Sequence, residues 1–84
     1  MRLDDYLSTV GVIKRRTVAK EMAANGLVLI NGHKAKPAAE VNVRDIIQIK
    51  GSKPFVLEVL AVPAGASVPK DQRDRYFKAL PPAG

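Results

Sequence analysis

Residues Thr17–Lys36 read TVAKEMAANGLVLINGHKAK, and the hydrophobic period changes once within them. Val18, Ala19, Met22 and Ala23 stand at i, i+1, i+4 and i+5, the apolar stripe of an amphipathic helix. Thr17 is a favourable N-cap residue, Asn25-Gly26 a stop, and Leu27 is placed to pack back on the helix. The apolar residues then become consecutive. Leu27-Val28-Leu29-Ile30 predicts a short strand, and Asn31-Gly32 is the strongest two-residue hairpin signal in the chain. His33–Lys36 is the returning strand, ended by Pro37.

Toward the N-terminus, Leu3, Tyr6, Leu7 and Val10 fall at i, i+3, i+4 and i+7 and predict a first short helix. Asp4 and Asp5 lie in its first turn, where negative charge suits the helix dipole, and Gly11 is placed to end it. Toward the C-terminus, Val41 and Val43 lead to a turn near Arg44-Asp45. Ile46–Lys50 reads as a strand, Gly51-Ser52-Lys53-Pro54 as a turn, and Phe55–Val62 as the longest β run. These elements predict an α+β fold, two N-terminal helices packed on a small, mostly antiparallel sheet within residues 1–62. Leu3, Leu7, Val10, Val18 and Met22 are expected to be buried against Ile30, Ile47 and Leu57. Residues 63–84 hold four of the six prolines and read as a Pro-rich linker, Pro63–Pro69, and a charged tail. Within the tail, residues 70–80 either form one or two helical turns with Tyr76, Phe77 and Leu80 docking, or stay disordered until a partner binds.

With 84 residues there is room for one small domain with a thin core. Apolar residues at 46% argue against full disorder, and the absence of Cys excludes disulfides and thiolate zinc sites. A single His, His33, excludes two-His metal motifs and reads as a polar hairpin residue. Neither Ser8, Ser52 nor Ser67 sits in a nucleophile-elbow sequence, and the adjacent Asp4 and Asp5 point about 100° apart on a helix. No catalytic residue, metal ligand or cofactor site is therefore predicted. The longest apolar run, Val59–Ala64, is far too short to span a bilayer, and the N-terminus is not signal-like. A small, soluble, cytoplasmic domain without a membrane partner is the expectation.

Charge points to the partner. Fourteen Lys and Arg against eight Asp and Glu give +6, which favours a polyanion. Lys14-Arg15-Arg16-Thr17-Val18-Ala19-Lys20 places four cations in seven residues with no acid among them. Three of the four occupy the bend entering a helix N-terminus, where free N–H groups and the dipole add to the positive field. Arg2, Lys34 and Lys36 extend this group if the second helix lies beside the hairpin. With two Phe and two Tyr in the chain, and no stacking pair on helix or hairpin, single-strand binding on an aromatic platform is not expected. A structured RNA held through phosphates and shape fits better.

Met1-Arg2-Leu3-Asp4-x-Tyr6-Leu7, Lys14-Arg15-Arg16-Thr17-x-Ala19 and Asn25-Gly26-x-Val28-x-Ile30-Asn31-Gly32-x-x-x-Lys36-Pro37 together resemble the S-four RNA-binding domain family, named for ribosomal protein four. The resemblance runs from Met1 to about Lys50 and implies the αL RNA-binding motif. Through Ile13-Lys14-Arg15-Arg16-Thr17-Val18-Ala19-Lys20-Glu21 the chain is most similar to the RqcP-type branch of stand-alone bacterial members. That likeness implies a non-enzymatic adaptor in ribosome-associated quality control. It would bind rRNA and peptidyl-tRNA on stalled large ribosomal subunits and support C-terminal tailing beside an NEMF-family factor. Off the ribosome it would be a monomer. Other readings are a heat-shock-type rescue factor that repositions peptidyl-tRNA, a general rRNA-binding module, a targeting domain serving a separate enzyme, and a protein–protein module with incidental charge. By resemblance Arg2 and Arg16 match the family's principal RNA-contacting positions, and the charge and helix-start reading adds Lys14, Arg15, Thr17, Lys20, Lys34 and Lys36 in support. Three positions depart from the pattern: Gly11 stands where an Arg is frequent, Asp5 where a base is common, and Val43-Arg44-Asp45 replaces Pro-Gly-Asp.

An interface of about four to six phosphate contacts predicts that log K falls with log salt at a slope of roughly −3 to −5. A salt titration of RNA binding measures the slope, and a value near zero would reject a phosphate-based interface.

Overall fold

The computed structural model describes residues 1–64 and 68–81. Ser67, the middle of the expected linker and residues 82–84 lie outside them. Helices α1 (Leu3–Thr9) and α2 (Arg16–Ala24) precede strands β1 (Val28–Ile30), β2 (His33–Lys34), β3 (Ile46–Ile49) and β4 (Phe55–Val59). A 3-10 turn over Lys70–Arg75 then leads into β5 (Phe77–Leu80). The strands form one antiparallel sheet in the order β2-β1-β3-β4-β5.

Register sorts the strand residues into two faces. Val28 lies opposite Ile49, which lies opposite Phe55; Ile30, Ile47 and Leu57 form the next row. These rows face the helices, and with Val59 they meet Leu3, Tyr6, Leu7, Val10, Ala19 and Ala23 in the main apolar cluster. The expected stripe is buried at Leu3, Leu7 and Val10, while Met22 is half-buried and Val18 is 41% exposed. The helix rests on its Ala19–Ala23 line, and Val18 stands about 100° round the axis from Ala19, clear of the sheet. Two alanines on that line allow α2 to approach closely with little side-chain volume.

Backbone bonds fix the α1 N-terminus. Leu3 N donates to Ala39 O at 2.9 Å and Asp4 N to Pro37 O at 3.1 Å, while Val41 N donates to Met1 O at 3.0 Å. The loop after β2 thus caps the helix with carbonyls in place of a capping side chain. On the opposite side of α1, the buried Tyr6 hydroxyl donates to Tyr76 O at 2.8 Å. The same carbonyl accepts Leu60 N at 2.8 Å and Ala61 N at 3.2 Å, which locks the chain before β5 onto the core. Burial pushes the Tyr6 phenol well above its ordinary pKa, so the hydroxyl keeps the proton it donates.

Two turns hold the hairpin region. Asn31 (φ 52°) and Gly32 (φ 86°) both have positive φ, the requirement of a type I′ hairpin turn. The Asn31 side chain also donates to Asp45 Oδ1 at 3.1 Å and accepts Ile46 N at 2.9 Å, tying this turn to the next. In that next turn Asp45 N donates to Asn42 O at 3.1 Å with Arg44 at φ 80°, the third position of a type II turn. Glycine is the residue suited to that conformation, and here an arginine holds it.

Phe77–Leu80 form a strand where the sequence suggested helical turns or disorder; the helical turn is confined to Lys70–Arg75. The apolar Phe77 and Leu80 at its ends mask a four-residue strand, and pairing with β4 supplies the order that local propensity does not. All four expected strands are shorter, β1 beginning at Val28, β2 ending after Lys34, β3 after Ile49 and β4 after Val59.

Replacing Arg44 with Gly should relieve the positive-φ strain and stabilise the protein by about 1 kcal/mol. For a domain of this size that is a rise in Tm of roughly 4–8 °C. An unchanged or lower Tm in a thermal scan would show that the turn carries no strain.

Candidate nucleic-acid interface

The start of α1 and the start of α2 meet through four charged side chains. Arg2, the N-cap residue of α1, donates from Nε to Asp4 Oδ1 at 3.1 Å and from Nη2 to Asp4 Oδ2 at 3.0 Å. Two parallel bonds from one guanidinium fix both its position and its plane. Arg16, the first residue of α2, places Nη1 3.1 Å from Asp5 Oδ1 and Nε 3.9 Å from Asp4 Oδ2. Asp4 is 1% exposed, while the Arg2 and Arg16 side chains are 45% and 52% exposed. The carboxylates therefore sit beneath two guanidinium groups whose outer edges face solvent.

Burial alone would raise the Asp4 pKa. Hydrogen bonds from the Arg2 guanidinium and from Asp5 N, the latter at 2.8 Å, oppose it together with the charges of Arg2 and Arg16. The sum holds the carboxyl below the ordinary carboxylate range. Asp4 is thus ionised at neutral pH and anchors both arginines.

Next to this quartet is an open helix end. Arg15, with extended φ −115° and ψ 130°, is the N-cap of α2, and no side chain caps the helix. Thr17, expected as the cap, lies inside the first turn, exposed and without a capping bond. A start at residue 16 is what allows the Arg16–Asp5 pair to form across the helix junction. Among the described residues the N–H groups of Arg16, Thr17 and Val18 find no acceptor, and no acid stands in the first turn of α2. Such an end carries partial positive charge and points its donors outward.

The remaining cations surround this core unevenly. Lys14 and Arg15 lie exposed in the bend, and Lys20 is exposed one turn into α2. Lys36 belongs to the loop whose Pro37 and Ala39 carbonyls cap α1, which places it near Arg2 in the chain path. Lys34 stands at the other end of α2: its side chain lies over Gly26, within 3.3–3.5 Å of where a Cβ there would be. That is roughly 12–15 Å along the helix from Arg16. Among the described residues Lys14, Arg15, Lys20, Lys34 and Lys36 form no ion pair. The arrangement joins two oriented guanidinium groups, an open helix end and exposed ammonium groups, which suits phosphate oxygens and nucleic-acid shape.

Sequence reasoning missed Asp4 and Asp5 as the partners that orient the arginines. The signal was present, an Arg-x-Asp at a helix start and acids followed by an acid-free basic run. Another residue missed is Arg73, in the 3-10 turn. Its guanidinium lies 2.5–2.7 Å from where a Cβ on Gly11 would stand, in the space of the missing side chain.

These features define a small α+β nucleic-acid-binding module, and comparison with known proteins gives its family. The S4 domain model matches residues 1–47, and the chain belongs to the S4 domain family. It is 37% identical over 80 residues to the RQC P-site tRNA stabilizing factor of Helicobacter pylori strain J99, covering 92% of this chain and 93% of that protein. With the factor of the same name from Streptococcus pneumoniae strain R6 it shares 46% identity over 61 residues, 71% of this chain and 69% of that one. The solution structure of the hypothetical protein HP1423 superposes with a TM-score of 0.82 at 32% identity, over 99% of this chain and 100% of that one. Vibrio cholerae heat shock protein 15, a trimeric structure, shares the fold with a TM-score of 0.86 at 22% identity, over 95% of this chain and 81% of that one.

The lowered pKa of Asp4 has a definite sign. A carboxyl whose folded pKa lies below its usual 3.8 contributes stability that is full above that value and is lost as pH falls through the folded pKa. Unfolding free energy should therefore hold above about pH 5 and fall steeply below about pH 4. Asp4→Asn should be less stable at neutral pH and show a shallower acid limb. Denaturant titrations between pH 2 and pH 7 make the comparison, and parallel acid limbs would remove Asp4 as the source.

Proposed function

We propose that this protein is a non-enzymatic RNA-binding adaptor of ribosome-associated quality control. It holds rRNA and the peptidyl-tRNA of a stalled large ribosomal subunit and so supports C-terminal tailing of the nascent chain. The relatives' own name, P-site tRNA stabilizing factor, supports tRNA as a partner, and the match with the Helicobacter pylori factor runs along nearly the whole chain. The observation that carries the reading is the pair of guanidinium groups, Arg2 on Asp4 and Arg16 on Asp5, set beside the open N-terminus of α2. Arg2 and Arg16 read backbone geometry, and Lys14, Arg15, Thr17, Lys20 and Lys36 add phosphate contacts around them. Lys34, at the far end of α2, reaches a different stretch of the RNA. The protein acts as a monomer off the ribosome, and an NEMF-family factor works beside it on the subunit.

The two arginines differ in what else they hold. Arg16 pairs with the part-exposed Asp5, so Arg16→Ala should cost less than about 1 kcal/mol of stability. Arg2→Ala takes the main partner from a buried carboxylate and should cost about 1.5–3 kcal/mol. Each should weaken subunit binding about ten- to a hundredfold through a lost charge-assisted contact. Gradient sedimentation with peptidyl-tRNA-bearing large subunits, a tailing assay, and circular dichroism on the same preparation test the assignment. A folded Arg16→Ala protein that co-sediments and supports tailing like the parent would show that this face does not meet RNA.

A further inference from the structure

Away from the Arg2–Arg16 face, a groove of about 470 Å³ opens between the α1–α2 loop, the β3–β4 turn and β5. Its walls carry Met22, Phe55 and Phe77, and its cations are Lys50, Lys53 and Arg73. Among the described residues no carboxylate lines it. The two phenylalanines, distant in sequence, meet edge to face with ring centroids 6.3 Å apart and an interplanar angle of 77°. They form an aromatic pair that neither helices nor hairpin supply.

Arg73 is the unusual member. Its guanidinium packs against the backbone of Gly11, whose φ of 81° and missing Cβ make the room. Among the described residues the buried Nε has no hydrogen-bond partner and the side chain makes no ion pair. Buried donors are normally satisfied, and Arg73, which lines the groove, carries a charge that nothing among the described residues pairs, so its guanidinium is left to serve an acceptor that enters the groove. Three cations without an acid require that acceptor to be anionic, and the apolar walls require it to carry a flat or apolar body.

We propose that this groove receives one unpaired nucleotide of an RNA strand, its base against Phe55, Phe77 and Met22 and its phosphate on Arg73, Lys50 and Lys53. Base stacking on aromatic rings combined with phosphate contacts is the usual mode of single-strand recognition. An acidic, apolar peptide would match the same charge and walls, and the part-exposed aromatic rings favour a planar base over it. This site is separate from the Arg2–Arg16 face and does not depend on it.

The test is an NMR titration of the 15N-labelled full chain with adenosine 5′-monophosphate, inorganic phosphate, a single-stranded penta-adenylate RNA, and a hexapeptide alternating Glu and Leu. The monophosphate should shift the amides of Gly11, residues 50–53 and Phe77. Inorganic phosphate should shift the same amides about tenfold more weakly, for want of stacking. The RNA should bind at least about tenfold more tightly than the monophosphate, because neighbouring phosphates add contacts. Arg73→Gln should weaken the monophosphate about tenfold or more. Should that variant unfold, the exposed Lys53→Ala, expected to weaken it severalfold, carries the test. In Arg16→Ala, which removes a side chain paired at close range only with the part-exposed Asp5 and is expected to stay folded, the groove response should persist, which separates this proposal from the function proposed above. Groove amides unmoved by the monophosphate and the RNA, or moved only by the peptide, would overturn the assignment.

Discussion

The carboxylate of Asp4 is the point on which the two helices depend. It is 1% exposed in a domain whose core is thin, so its charge must be met where it stands. Arg2 meets it with two parallel hydrogen bonds, Asp5 N with a third, and Arg16 approaches from α2. One group thereby joins the chain before α1, the first turn of α1 and the first turn of α2. Ala19 and Ala23 bring α2 close against the large apolar side chains of α1, and this polar junction adds a charged contact where the two helix starts meet.

The rest of the fold holds α1 in place for that purpose. Carbonyls of the loop after β2 take the N–H groups of Leu3 and Asp4, so the helix start is tied to the hairpin side of the sheet. Tyr6 ties the opposite face of the helix to Tyr76, next to the strand that completes the sheet. The Asn31 side chain links the hairpin turn to the turn at Asp45, which ties the β1–β2 hairpin to the start of β3. A displacement of any of these would move Asp4, and with it both arginines.

Much of the architecture was legible in the sequence because it rests on local signals. Apolar spacing gave α1 and α2, Asn31-Gly32 gave the hairpin, and the change of period at Leu27 placed the border between helix and sheet. The basic run at Lys14–Lys20 does lead into a helix N-terminus, although the helix begins at Arg16 and not after Thr17. What stayed hidden depends on contacts between distant residues. Nothing local marks Phe77–Leu80 as a strand, since its order comes from β4. Asp5 read as a loss of positive surface until the structure placed it under Arg16, and the turn at Arg44 survives the loss of Pro and Gly by accepting a positive φ. Phe55 and Phe77 became an aromatic pair only through the sheet.

Counting charges suggests that Asp4 and Asp5 weaken a face meant for a polyanion, and magnitudes suggest the reverse. At the surface, a carboxylate repels a phosphate about 8 Å away by only about 0.5 kcal/mol in water-like dielectric, and salt reduces this further. A free arginine side chain carries about 2 kcal/mol of rotamer entropy, part of which is lost on binding. A guanidinium already held by Asp4 or Asp5 has lost much of that freedom during folding, so less remains to be lost when phosphate arrives. The acids also keep each fork turned edge-outward, the orientation that meets phosphate oxygens. On the proposed RNA face, therefore, the two acids reduce long-range attraction slightly and improve the close contact more. On that proposed face Lys14, Arg15, Lys20 and Lys36, which form no ion pair among the described residues, would keep the field that draws RNA in, and the paired Arg2 and Arg16 would decide how it sits.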